Sequence, residues 1–411
     1  MGRFILLTFY MLLFFSGCAE TNAGTLFAAP VASEAEQPPA DSKASAAPPV
    51  QEPPPRPAFR YGRSFLVEEQ AVLYDRLSAL FSTPAPESAI PVEGGMTDDG
   101  VIYTINTFLR ENPLYYWAEL SLAAGEEGRH VLLTYKLAPE EVARRQREIE
   151  ARAAEILAPV KEAPPFEAAL AIHDAVAVIP YDRHEATPDH GNIYGALVQG
   201  AASCSGYASG FQYLAELAGL DSVFLIGESM RGIPHAWNAV RLDGSWHFVD
   251  CTWNRPLGEF DDVYHDYFLI DAGLLLAERR WDETQYPAMP QPSEGFRDYY
   301  RRIGYAVSGD VPGNAPDLLA GIFYRQLAAK PSFPANARPV FLEFRVSDSP
   351  EVYEQWKSIY IKQLFNILRA IQKKTGEERA GFVIDDLLSV ACDYNDTTQV
   401  FTFYPIIRQE D

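Results

Sequence analysis

Cysteine is scarce in this 411-residue chain, which has four: Cys18, Cys204, Cys251 and Cys392. Their spacing contains no paired C-x-x-C element, so no standard zinc motif is present. Basic blocks are missing too. Lys and Arg number 34 against 56 Asp and Glu, for a formal net charge of -22, and the cations nowhere cluster. That argues against nucleic acid as a partner, which calls for a basic stripe, and against a polybasic membrane patch. A strongly acidic surface favours solubility and says little about fold. Long apolar runs are also lacking: the most apolar stretch, 4–15, is too short to span a bilayer comfortably. There are no internal repeats. His184 and His190, with Asp182 and Asp189, sit at irregular loop spacings that fit no usual metal site. No metal and no cofactor are therefore expected.

The chain opens with Arg3 and the apolar run 4–15, a pattern of export signals. Phe15-Ser16-Gly17-Cys18 resembles a bacterial lipobox, which implies a cell-envelope lipoprotein anchored to a membrane through lipidated Cys18. An ordinary cleaved signal peptide is the alternative. Residues 19–60 are rich in Ala, Pro, Ser and Glu, bury too little to fold, and read as a disordered tether.

Three folded regions are expected beyond the 1–18 signal and the 19–60 tether. In 61–160, an N-terminal α+β region, helical spacing of Leu73, Leu77 and Leu80 predicts a helix over 67–81. Segments 101–109, 117–122 and 130–137 read as strands, and 139–156 as a charged helix. In 161–290, 166–179 is an amphipathic helix stopped by Pro180, 202–220 a second helix, and 223–227 a strand. Segments 235–242 and 245–251 form a hairpin around Asp243-Gly244, a strong hairpin signal. In the C-terminal α+β module, 291–411, Leu342, Phe344 and Val346 alternate with Glu343 and Arg345 as in a half-buried strand. Tyr353 to Ile371 stripe one long helix, and 388–393 and 400–407 read as strands. The fold class expected is α+β throughout.

Cys204 falls at a predicted helix start, where free N–H groups stabilise a thiolate. Gly206 and Ala208 leave room beside the sulfur. By position alone a buried core cysteine is the commoner outcome, and Cys392, at the end of an apolar strand, reads as one. If the Asp243-Gly244 turn has two residues, Leu242 pairs with Ser245. His235 and Asp250 then share a face as diagonal neighbours at roughly 7–8 Å, and Cys251 faces the other way. His173 reads as packed rather than catalytic.

The runs Asn192-Ile-Tyr-Gly-Ala-Leu-Val, Cys204-Ser-Gly-Tyr-Ala, His235-Ala-Trp-Asn-Ala-Val and Trp246-His-Phe-Val-Asp250-Cys-Thr-Trp253 resemble the bacterial transglutaminase-like superfamily. The closest likeness is to its transglutaminase/protease-like, cytokinesis-type branch, which the later Tyr267-Phe268-Leu269 also resembles. The resemblance spans about 163–271. It implies a papain-like core with the Cys helix packed on an antiparallel sheet, and a catalytic triad of Cys204 nucleophile, His235 general base and acid, and Asp250 orienting residue. It implies acyl transfer through a thioester to water or an amine, as in a cysteine protease or transamidase. A catalytically inactive scaffold is the rival. Ser205 stands where family members often carry Gln, a change at a substrate subsite. The Cys204 N–H is the natural first oxyanion donor; Tyr194 and Gln199 lie upstream of it, each more commonly structural, and Tyr194 joins Ser205, Trp237 and Trp253 as a candidate substrate contact. Trp237, Trp246 and Trp253 could wall a substrate groove, with core packing the commoner role for such rings. The partner expected is a peptide or protein substrate, a cell-wall peptide among the candidates.

Overall fold

The computed structural model describes residues 5–6, 59–81, 89–125, 128–255, 262–282, 284–286, 289, 297–330, 338–346, 348–378 and 382–409. The expected lipidation site Cys18 and nearly all of the tether lie outside them. Among the described residues no helix is long and apolar enough to cross a membrane.

The first core is built by two helices on a small sheet. Glu68–Phe81 lies where Leu73, Leu77 and Leu80 predict it, and buries them. Its neighbour, Asp98–Glu111, corrects the strand expected at 101–109. The β-branched run Val101, Ile102, Thr104, Ile105 suggests a strand, but the buried positions Val101, Thr104, Ile105 and Phe108 recur at helical spacing. Thr97 caps the helix by accepting from the Gly100 N–H at 3.1 Å, and Asp98 and Asp99 occupy the first turn. Both helices pack on the antiparallel strands Ala89–Pro91, Gly128–Tyr135 and Ala118–Gly125.

The charged helix forms as Pro139–Leu157, with Pro at its start as helices favour. It packs with the next region rather than with the first core: Ile149 and Ala153 are buried among Ile172, Tyr207, Phe211 and Leu214. Helix Pro165–Ala177 lies alongside, and helix Cys204–Leu217 packs on the sheet. That sheet is antiparallel throughout, in the order Phe268–Ile270, Ser245–Val249, Pro234–Leu242, Ser222–Ser229, Arg279–Arg280. This is the expected Cys-bearing helix on an antiparallel sheet. Leu242 pairs with Ser245, and Asp243 (φ 52°) and Gly244 (φ 79°) both take the left-handed backbone of a tight hairpin turn.

In the C-terminal module, Phe382–Asn395, Val400–Gln409, Leu342–Val346 and Ala306–Val307 form one sheet, the last pair parallel. The expected long helix is two, Pro350–Lys362 and Leu364–Glu378, broken at Gln363. The Tyr353, Trp356, Tyr360, Leu364 and Leu368 stripe is still continuous in the core. Strand Leu342–Val346 is buried on both faces, not one. On its polar face, Glu343 meets His265 of the 161–290 region, and Arg345 pairs with Asp298 of the module itself.

Candidate active site

Cys204 is the first residue of its helix. The preceding Ser203 makes no side-chain cap, so the first-turn N–H groups are not claimed by it and present positive charge to the sulfur. Gly206 has another role than leaving room for the thiol. A Cβ there would stand 2.5 Å from the His190 carbonyl oxygen and 3.2 Å from that of Asn192, so its bareness lets the preceding loop close against the helix. The Ser203 N–H donates to the same His190 carbonyl at 2.8 Å.

His235 stands near the start of strand Pro234–Leu242, and Asp250 just past the end of Ser245–Val249. The hairpin brings them together: His235 Nε2 lies 2.7 Å from Asp250 Oδ2. With Nε2 engaged, the Nδ1 edge of the ring is the one open to the Cys204 thiol. Asn238, three residues along the strand, ties it to the Cys204 helix by donating to the Ala208 carbonyl at 3.0 Å. Trp237 is fully buried with its ring stacked 5.8 Å from His235. Trp253 is 40% exposed, 6.2 Å from His235 on another side.

Arg279 is the member of this cluster that sequence reasoning missed. It is wholly buried and donates to Asp250 Oδ2 at 2.9 Å, the same oxygen that faces His235. Its guanidinium lies 3.8 Å over the Trp253 ring and 5.6 Å from that of Tyr267. It reaches the site from Arg279–Arg280, a two-residue edge strand paired to the end of Ser222–Ser229. Nothing in the Arg279-Arg280 dipeptide marks one as buried and the other as exposed.

The electrostatics favour an ion pair. Burial pushes the Cys204 thiol up, but the His235 imidazolium and the Ala236 N–H outweigh it and bring the thiol below its ordinary value. Burial opposes the charge on His235, and the Asp250 carboxylate overcomes it, raising the imidazole to about 9. Asp250, despite its burial, is held down to about 2 by His235 and Arg279. Cys251 is buried in the core and its thiol is pushed well up by burial, as is that of Cys392, to about 12. Cys204 is the thiol poised to ionise.

The remaining expected residues divide. Ser205, beside the nucleophile, is half-buried, and its carbonyl accepts from Ser209 Oγ at 2.8 Å. Tyr194 is committed elsewhere: its hydroxyl donates to Glu148 at 2.8 Å, and its ring lies against Tyr116 and the Arg145 guanidinium. Its packing therefore argues for a structural part in place of the substrate contact expected of it. Gln199 is engaged with Asp189 at 3.2 Å. Trp246 packs with Phe59 and Tyr61. In the upstream loop, the Asp182 carboxylate accepts from the N–H groups of His184, Ala186 and Thr187, and Asp189 pairs with Arg145 at 2.8 Å. Those carboxylates brace a turn.

Fold and site together define an α+β protein with a thiol, an imidazole and a carboxylate aligned at the junction of one helix and one sheet. A family model described as the transglutaminase-like superfamily matches residues 151–251, so the chain carries a transglutaminase-like domain there. The kyphoscoliosis peptidases of Mus musculus and Homo sapiens are each 28% identical to it over 113 residues, 24% of this chain. The match spans 17% of the length of those curated relatives. A solved structure described as a TGase is 13% identical, with a TM-score of 0.25, covering 55% of this chain and 60% of that one.

Proposed function

We propose that the protein is a cysteine acyl-transfer enzyme in which Cys204, His235 and Asp250 act as a triad on a peptide or protein amide. The observation that carries this reading is the alignment of His235 between a depressed thiol and a buried carboxylate. The Cys204 thiolate attacks the amide carbonyl carbon and forms a C–S bond. The oxyanion gathers charge toward the N–H groups at the helix start. As the C–N bond breaks, the His235 imidazolium gives its proton to the leaving amine, and a thioester remains. An acceptor then loses its proton to His235 and attacks the thioester, and the C–S bond breaks to release the Cys204 thiolate beside the His235 imidazolium, restoring the starting pair. Water as acceptor gives hydrolysis, and an amine gives transamidation. Asp250 holds the ring orientation and stabilises the imidazolium throughout.

Hydrolysis is the outcome we favour; the export-signal pattern and tether-like composition of 1–60 support a bacterial cell-envelope location, with a cell-wall peptide as one substrate class. The test pairs two readings. Iodoacetamide at mildly acidic pH should alkylate Cys204 well ahead of Cys251 and Cys392, because its thiol is lowered beside His235 while burial raises the other two. A peptide library, with and without a labelled primary amine, then separates cleavage from amine incorporation. Slow Cys204 alkylation, together with turnover unchanged in Cys204→Ala, would sink the enzyme reading and leave a scaffold.

A further inference from the structure

A second set of ligating side chains lies outside the triad. Among the described residues, His173, Asp174 and His265 bring their ligand atoms within 4.8 Å of one another. His173 and Asp174 are consecutive on helix Pro165–Ala177, and His265 comes from the segment before Phe268–Ile270. His173 Nδ1 is 2.8 Å and His265 Nε2 3.0 Å from the same oxygen, Asp174 Oδ1. We propose that these three groups form a binding site for one transition-metal ion of the zinc type, with Glu343 as the support of His265.

Four observations carry this. The donor set, two imidazoles and one carboxylate, is one that zinc-class ions accept, leaving a fourth position for water. The spacing is near what an ion needs: with bonds of about 2.0–2.1 Å, neighbouring tetrahedral ligands stand roughly 3.3 Å apart. The two imidazole–carboxylate distances, 2.8 and 3.0 Å, lie within about half an ångström of that, and all three ligand atoms fall within 4.8 Å of one another. His265 is already oriented as a ligand, since its Nδ1 lies 3.3 Å from Glu343 Oε2, which turns Nε2 to the cluster. That carboxylate–histidine pairing is the usual outer support of a metal-bound imidazole. Finally, burial is graded. The His173 side chain is fully buried, that of His265 is 14% exposed and that of Asp174 is 42% exposed, which gives a dry floor and an entry side.

Glu343 belongs to strand Leu342–Val346 of the C-terminal module. An ion here therefore fastens the helix beside the triad to the 262–267 segment and, through Glu343, to that module. Its part is that of a staple, separate from the acyl-transfer chemistry.

The experiment uses the full chain, stripped with a chelator and titrated with Zn(II) against a chromophoric competitor, and with Co(II) for its visible spectrum. The expected result is one ion per chain, with affinity falling at least tenfold in His265→Gln and in Asp174→Asn, and a higher melting temperature with Zn(II) bound. The full chain carrying Cys204→Ala should bind as tightly as the parent, because the thiolate–imidazole pair is the rival site. Absence of stoichiometric binding overturns the proposal. So does binding that survives both cluster variants, or that disappears with Cys204→Ala. Should a variant fail to fold by circular dichroism, the Co(II) spectrum of the parent decides: intense thiolate charge transfer rejects the site, and a nitrogen–oxygen spectrum supports it.

Discussion

At the scale of single residues, the site depends on Asp250 holding two cations with one oxygen. His235 and Arg279 share Oδ2, so Arg279 both keeps the carboxylate ionised and lowers the charge affinity of His235. The reactive thiolate–imidazolium pair exists between the two groups' pKa values, and is lost as pH rises through about 9, where His235 gives up its proton. Activity should therefore show an alkaline limb near pH 9. Arg279→Met should move that limb upward, because a positive neighbour is gone, and cut kcat/KM on the order of 100-fold through misplacement of Asp250. Arg279→Lys should recover part of the rate, since it restores charge without the planar fork. A lowered rate with an unmoved limb would mean that Arg279 acts through packing alone. The positions of Cys204 at a helix start and of His235 beside Asp250 were legible from capping and hairpin register, but a helix start alone left a buried cysteine the commoner reading, and the ordered motifs were needed to tie the thiol to the pair. Arg279 was not legible, because it arrives 29 residues after Asp250 on a strand too short to leave a pattern.

At the scale of elements, the hairpin and the Cys204 helix were readable, and the edge that carries Arg279 was not. Turn chemistry at Asp243-Gly244 sets a register of side chains, so it could be read residue by residue. Segment 101–109 shows the opposite case. Its composition favours a strand, and its spacing and cap favour a helix; burial of one helical face settled the contest. The edge strand meets its partner through a missing side chain. A Cβ on Gly227 would stand 2.1 Å from the Arg280 carbonyl oxygen and 2.7 Å from Trp237 Cη2. Neither neighbour yields readily, one being backbone and the other a buried ring against His235. Gly227→Ala should thus cost about 1–3 kcal/mol by overpacking and lower activity by displacing Arg279–Arg280. Gly321→Ala serves as comparison: it lies in helix Ala315–Ala328 with nothing within 4 Å of an added Cβ. That change should be neutral or stabilising by about 0.5–1 kcal/mol. Denaturant midpoints of the two variants, with kcat/KM of Gly227→Ala, check both.

At the scale of the whole molecule, the C-terminal module meets the transglutaminase-like region through polar groups. Besides Glu343 with His265, Tyr404 meets Tyr264 at 2.9 Å. Asn395 donates to Asp266 Oδ2 at 2.8 Å. Alternation along 342–346 marked one face as polar, but a polar face reads the same whether water or another domain covers it, so the docking was not legible. Asp266 gives this junction a pH dependence of unusual sign. Burial, with Glu343 and Glu278 nearby, raises its carboxyl to about 8, whereas the unfolded chain ionises it near 3.9. Between those values the folded state holds the extra proton, so stability falls as pH rises through the window and levels off above about 8. Asp266→Asn keeps an oxygen that can accept from Asn395 and removes the titration. Its unfolding midpoint should match the parent's near pH 4 and pull ahead as pH approaches 8, with the width of the window between the two pKa values setting an upper limit of about 6 kcal/mol. His235 and His265 also lose stabilising charge toward pH 9, but they do so in both proteins and cancel in the difference. A constant offset between variant and parent at both pH values would show that Asp266 contributes through hydrogen-bond geometry and not through its proton.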